Sequence, residues 1–344
     1  MPADPSLGVF AEGAPLSTPN ARLRKLDGNP IPAVSSEVRA FACIRDENLR
    51  LPFLLDYHRR LGVGRFFFID NGSTDGSLEF LLEQEDCHVF ASRGKFFAEN
   101  VDPPVWSNAL RNVHGDGHWC LSLDADEMFV YPRCEDIPLD RFCQHLDAAG
   151  ATAVVGLVID MYGEGPILQA GYKRGESFLA ACPYFDRALG YEVADDGGFP
   201  PVLTFSKFRE RAFWSREHKR QRPPCITQVP LVKWRKGSAY KVAQHSLNYA
   251  KLSDLQAGVL HFKFLPGFYQ SIGASLAEND NVKEKGLAER RTYIDTLKSN
   301  PELSLVYSGS ERYRNSSQLV ELGWMKTSAS YENFARPDLR RGAA

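Results

Sequence analysis

Residues 37–132 repeat one unit, a short apolar run followed by a segment of helical periodicity, and that repetition leaves few folds open. VRAFACI, RFFFID, CHVFASR and HWCLSLDADEMFV read as strands. Between them, RDENLRLPFLLDYHRRLG sets Leu49, Phe53, Leu54, Tyr57 and Leu61 at helical spacing, with Gly62 as its stop. SLEFLLEQE and PPVWSNALRNVHG supply two more helices, the second opened by proline. Strands alternating with helices require a mostly parallel sheet covered on both faces, and ligands of such sheets gather beyond the carboxyl ends of the strands. The loops after Ile44, Ile69, Ser92 and Leu123 are therefore expected to converge.

The flanks differ. Residues 1–35 hold six prolines and no sustained apolar period, and read as a flexible arm. After residue 136, LDRFCQHLDAAG is a further helix and TAVVGLVIDMY a further buried strand. Glycine, proline and aromatic residues then dominate to about residue 250, which suggests loops and short antiparallel strands over the active face. EKGLAERRTYIDTLKSN resumes a helix, and residues 336–344 read as a loose tail. The expected organisation is one α/β domain over residues 36–335, with a nucleotide-binding half (36–135) and an acceptor-binding, covering half (136–335).

Composition excludes several classes. A net charge of -2 gives no basic field for nucleic acid. No run approaches the roughly 18 apolar residues of a membrane span, and the N-terminus lacks the order of a secretion signal, so a cytoplasmic location is expected. Seven cysteines without a C-x-x-C pair read as reduced core residues. Neither G-x-G-x-x-G nor G-x-x-x-x-G-K-[ST] is present, which removes support for a nucleotidyl transferase or hydrolase built on a phosphate loop.

The strongest chemical signal is Asp124-Ala125-Asp126-Glu127, where the chain leaves the fourth strand. Massed carboxylates repel unless a cation or hydrogen bonds compensate, and their hard oxygens suit Mg²⁺ or Mn²⁺. In an extended segment Asp124 and Asp126 face one side, so one can hold the metal and the other a ribose or a metal-bound water. A second polar cluster, Asp70-Asn71-Gly72-Ser73-Thr74-Asp75, follows the second strand. Asp70 is the candidate there for a base or ribose edge, while Ser73 or Asp75 can cap the next helix. After the first strand come Cys43, Arg45, Asp46, Glu47 and Asn48: Arg45 can reach a diphosphate, and Glu47 or Asn48 can cap a helix or touch a base.

FACIRDEN, FIDNGSTDGS and WCLSLDADEMF, in that order and spacing over residues 38–132, resemble the family-2-like glycosyltransferases of GT-A fold. The nearest look within that group is to bacterial proteins carrying V-P-L-x-K/R-W and H-F-K segments, here residues 229–234 and 261–263, with family 92 distantly similar. The resemblance implies transfer of a sugar, most often UDP-linked, from a nucleoside diphosphate to a hydroxyl of a glycan, lipid-linked or other glycoconjugate acceptor, with inversion. It places Mn²⁺ or Mg²⁺ on Asp124 and Asp126, with His261 completing the shell and Lys263 adding charge; His245 is the competing histidine. It also implies that Asp70 and the backbone of residues 42–45 hold the nucleoside. The family's downstream acid pair has no clean copy, so Asp160, at the end of AVVGLVID, is the first choice of catalytic base, with Asp186, Asp195 and Asp196 as alternatives.

Residues 207–222 interleave basic and aromatic side chains, which fits an anionic or lipid-linked acceptor, a peripheral contact with a membrane, or a solvated loop. Trp106, Tyr162, Tyr184 and Trp234 are candidates for stacking on sugars. The rival outside enzymology is an inactive GT-A-like domain that binds glycan or scaffolds polysaccharide assembly.

Overall fold

The computed structural model describes residues 16–18, 21–34, 36–92, 103–189, 191–195, 202–213, 225–265, 268, 273 and 284–336. Its strands are β1 (Leu16–Thr18), β2 (Ala21–Lys25), β3 (Val38–Ile44), β4 (Val63–Asp70), β5 (Cys87–Ser92), β6 (Trp119–Ser122), β7 (Glu127–Val130) and β8 (Ala153–Asp160). They continue with β9 (Tyr184–Asp186), β10 (Tyr191–Asp195), β11 (Val202–Ser206), β12 (Thr227–Lys233), β13 (Tyr240–Val242), β14 (Ser246–Leu247), β15 (Leu252–His261) and β16 (Ser310–Arg312). Ten of them form one sheet in the order β1-β2-β5-β4-β3-β6-β12-β8-β15-β7. Seven point one way, and β2, β12 and β7 oppose them. This is the mixed α/β architecture with a large, mostly parallel sheet expected from the sequence, and it is consistent with a GT-A-like fold.

Helices α1 (Leu51–Leu61), α2 (Ser77–Leu82), α3 (Pro103–His114) and α4 (Leu139–Ala148) cover the sheet, and a short α5 (Phe178–Ala181) follows β8. The run FFFI in β4 shows why it reads as continuously apolar: Phe66 and Phe68 pack on the face of α1, α2 and α4, and Phe67 and Ile69 on the face of α3. α1 ends where Gly62 takes φ 112°, a left-handed conformation that a side chain would strain. A third apolar cluster, with Tyr162, Phe208, Phe264 and Tyr293, joins α6 (Lys207–Phe213) to the helix Glu284–Ser299.

Two expectations need correction. The arm is not loose throughout: β2 pairs with β5, Leu23 is buried, and Asp27 accepts from the Val89 N–H at 2.7 Å. HWCLSLDADEMFV is two strands rather than one, because β6 ends at Ser122 and β7 lies beyond β12, β8 and β15 in the sheet. Residues 123–126 are consequently a connection across the sheet's carboxyl edge, with a turn closed by Glu127 N–H donating to the Asp124 carbonyl at 3.1 Å. Strands β8, β12 and β15, from beyond residue 136, join the same sheet as β3, β4, β5 and β6. Among the described residues no helix is long and apolar enough to cross a membrane.

Candidate functional site

β3, β4, β6, β8 and β15 all end at the same edge, and the chemistry collects there. Register sets His261 beside Asp160 of β8 on one side and Glu127 of β7 on the other. His261 Nδ1 lies 2.9 Å from Asp160 Oδ1, and its Nε2 lies 3.5 Å from Asp126 Oδ2. Asp160 is buried and accepts twice from Arg209, from Nε to Oδ2 and from Nη2 to Oδ1, each at 2.8 Å. Despite the opposing effect of burial, Arg209 and His261 hold the Asp160 carboxyl well below the usual carboxylate range. An acid so paired is a weak proton acceptor, so its environment departs from the base that strand position suggested.

The D-A-D-E turn is not extended, so Asp124 and Asp126 do not share a face by strand alternation. Asp124 reaches solvent yet sits within the bulk of the cleft, where it accepts from Gln244 Nε2 at 3.2 Å. Desolvation, and next the charge of Asp126, raise its carboxyl to about 6. Glu127 is buried, accepts from Asp124 N–H and from Gln228 Nε2, and is pushed well above the carboxylate range by burial and by both aspartates. Asp126 goes the other way: against desolvation, His261, Arg50 and Lys263 lower it. Glu47 pairs with Arg50 at 2.6 Å, but burial and the charges of Asp126 and Asp124 raise it to about 7. Lys263 lies 3.8 Å from Glu289 Oε1, which is also 3.6 Å from Arg209 Nη1.

Carboxyls that raise one another mark a cleft short of positive charge, which a divalent cation would supply. Among the described residues no three His, Cys, Asp or Glu side chains are grouped to cage a metal. The donors present would suit Mg²⁺ or Mn²⁺ held by one or two protein groups, the manner such ions favour. His261 fits this role as well, because the Asp160 carboxylate fixes one ring nitrogen and leaves the other toward Asp126.

The remaining candidates occupy the neighbouring loops. Asp70 is buried and accepts from the N–H groups of Gly72 and Ser73, which shapes the turn after β4. Asn71 donates to Ser92 Oγ at 2.7 Å, tying the ends of β4 and β5. Ser73 Oγ accepts from Asp46 N–H at 3.0 Å, and Asp75 takes the Ser77 N–H and hydroxyl from the residue before the N-cap of α2, which is Gly76 and not the expected Ser73 or Asp75. Cys43 is half-buried and its thiol is pushed up to about 12 by desolvation, which leaves it unionised. Arg45 is exposed beside Asp46, at 3.8 Å. The loops after β3, β4 and β6 meet at one edge, as expected, while residues 93–102, after Ser92, lie outside the described residues.

Other candidates belong elsewhere. His245 Nδ1 lies 2.6 Å from the Thr227 carbonyl. Asp186 is held by Tyr162 and Arg211, only the backbone of Asp195 is described, and Asp196 lies outside the described residues. Trp106, Tyr162 and Trp234 are core residues rather than open platforms, and Tyr184 is half-buried. In the basic segment, residues 207–213 form α6 with Phe208, Arg209 and Phe213 buried, while 214–222 lie outside the described residues. Arg209 is the site residue that sequence reasoning missed. Its signal was present: Arg209 and Phe213 stand at i and i+4, so a helix that buries one turns the other inward.

No protein-family model matches the chain, and no curated protein matches it. Among solved structures, it aligns with the UTP-bound UGPase from Acinetobacter baumannii over 75% of this chain and 99% of that one, at 8% identity and a TM-score of 0.28. A likeness that slight carries no argument about chemistry.

Proposed function

We propose that the chain is a metal-dependent glycosyltransferase that moves a sugar from a nucleoside diphosphate, UDP in the first instance, to a hydroxyl of a glycan or glycoconjugate. The observation that carries this reading is the row Asp126, His261, Asp160 at the carboxyl edge of a mostly parallel sheet, with Asp124 beside it. Asp126 and His261, 3.5 Å apart, would hold Mn²⁺ or Mg²⁺ with the donor's phosphates completing the shell and Asp124 adding negative charge beside them, and the cation would offset charge on the departing diphosphate. Lys263, whose charge lowers both aspartates, adds to that field. The loops bearing Cys43, Arg45, Glu47, Asp70, Asn71 and Ser73 form the nucleoside side of the cleft. Asp160 and Arg209 set the orientation of His261.

The test is thermal denaturation with UDP-, GDP-, CMP- and dTDP-sugars, each with and without Mn²⁺. Ligand at about 100 times its dissociation constant stabilises by about 2.7 kcal/mol. A Mn²⁺-dependent rise with one nucleotide, lost in Asp126→Ala, is expected. No rise with any donor, or an unchanged rise in Asp126→Ala, would remove the assignment.

A further inference from the structure

Beside the acidic cleft lies a cavity of about 210 Å³ at the ends of β8 and β11, closed by α6 and by residues from the C-terminal segment. Asp160 lines it, and the same carboxylate is the partner of His261, so cavity and cleft share a wall.

The charges around the cavity are paired internally. Arg211 Nη2 donates to Asp186 Oδ1 at 3.0 Å, Lys207 lies 2.8 Å from Glu210 Oε2, and Asp160 is held by Arg209. With the charges matched, the cavity offers an ion little net attraction. Asp186 already accepts from Tyr162 and from two nitrogens of Arg211, so what the cavity offers is donor capacity: Arg211 spends Nε and Nη2 on Asp186 and the Leu305 carbonyl, and its Nη1 has no acceptor among the described residues.

Its other walls are aromatic. Tyr307 lies over the Arg211 guanidinium at 4.0 Å and is 38% exposed, so it forms an open rim. Trp324 is 5% exposed, and its indole N–H has no acceptor among the described residues. Aromatic faces with a polar handle, set against a carboxylate–guanidinium pair, suit a neutral ring that presents C–H groups on one side and hydroxyls around its edge.

We propose that this cavity binds one pyranose ring of the acceptor, an inference that rests on the transferase reading for the word acceptor but not for the sugar. The ring packs against Tyr307 and Trp324, and its hydroxyls accept from Arg211. Its place behind Asp160 brings a bound sugar next to the row that ends at Asp126.

The test uses saturation-transfer NMR on the full chain with the methyl α-pyranosides of glucose, galactose and mannose, without nucleotide. At least one is expected to receive saturation, with affinity falling tenfold or more in Tyr307→Ala and in Arg211→Met. UDP with Mn²⁺, measured on the same variants, is expected to bind within twofold of the unmodified chain, which also certifies that they fold. No transfer to any pyranoside, or equal transfer in both variants, overturns the proposal. Pyranoside binding lost in the variants, without UDP binding in any chain, supports the sugar site and sinks the transferase reading. UDP binding without pyranoside binding does the reverse.

Discussion

At the scale of single residues, Asp160 has the position of a base and the surroundings of an anchor. It ends a buried strand at the active edge, but Arg209 occupies both of its oxygens and His261 shares one. Removing its charge should act twice. In Asp160→Asn the buried Arg209 loses its close counter-ion, which costs on the order of 3 kcal/mol or more. The amide also no longer fixes His261 as a carboxylate does, and loss of such a partner lowers metal affinity by roughly 10- to 100-fold. Electron paramagnetic resonance of bound Mn²⁺, with UDP present, separates the two effects, because a purely structural role would leave affinity in the folded fraction unchanged. Arg209→Lys should show the milder form of both losses, since a single ammonium cannot match the fork.

At the scale of elements, the connection from α3 to β6 shows how tightly the site's scaffold is joined. A Cβ on Gly115 would stand 2.7 Å from the Arg111 carbonyl and 2.7 Å from Cys120 Sγ, backbone on one side and a buried thiol on the other. Gly115→Ala should therefore destabilise by about 1 to 3 kcal/mol, read as a lower urea midpoint with unchanged slope. The parallel elements were legible in the sequence because each carries its own signal: VRAFACI is β3, and the helix stop at Gly62 is where it was expected. β12 was not legible. TQVPLVK has a proline in a strand between two neighbours, tolerated because the pairing shifts register between Gln228 and Leu231. The acidic turn was legible as chemistry but not as geometry, since nothing within D-A-D-E tells that its two flanking strands have three others between them. The Asp160–Arg209 pair spans 49 residues, and no local pattern marks a contact of that kind.

At the scale of the whole molecule, burial sets two groups of titrating side chains against each other. His58 is fully buried, Nδ1 2.9 Å from the Leu54 carbonyl, and desolvation lowers it to about 4; His114 is lowered to about 4 by desolvation and next by Arg39. Between pH 4 and about 6.5 the unfolded chain protonates these histidines and the folded chain does not, so they remove stability as pH falls. For His58 the loss is on the order of 2 to 3 kcal/mol. Glu47 and Asp124 act in the opposite sense, because their folded values of about 7 and about 6 lie above those of free carboxyls. From pH 7 down to about 4 the folded chain takes up protons that the unfolded chain does not, and stability rises. The two effects oppose each other in metal-free protein, and urea midpoints in EDTA at pH 7.0, 5.5 and 4.5 read their sum. Relative to the unmodified chain, His58→Gln should gain stability on acidification, and Glu47→Gln combined with Asp124→Asn should lose stability over the same interval. If both variants follow the unmodified chain, the crowding of carboxyls at the sheet edge does not govern its response to acid.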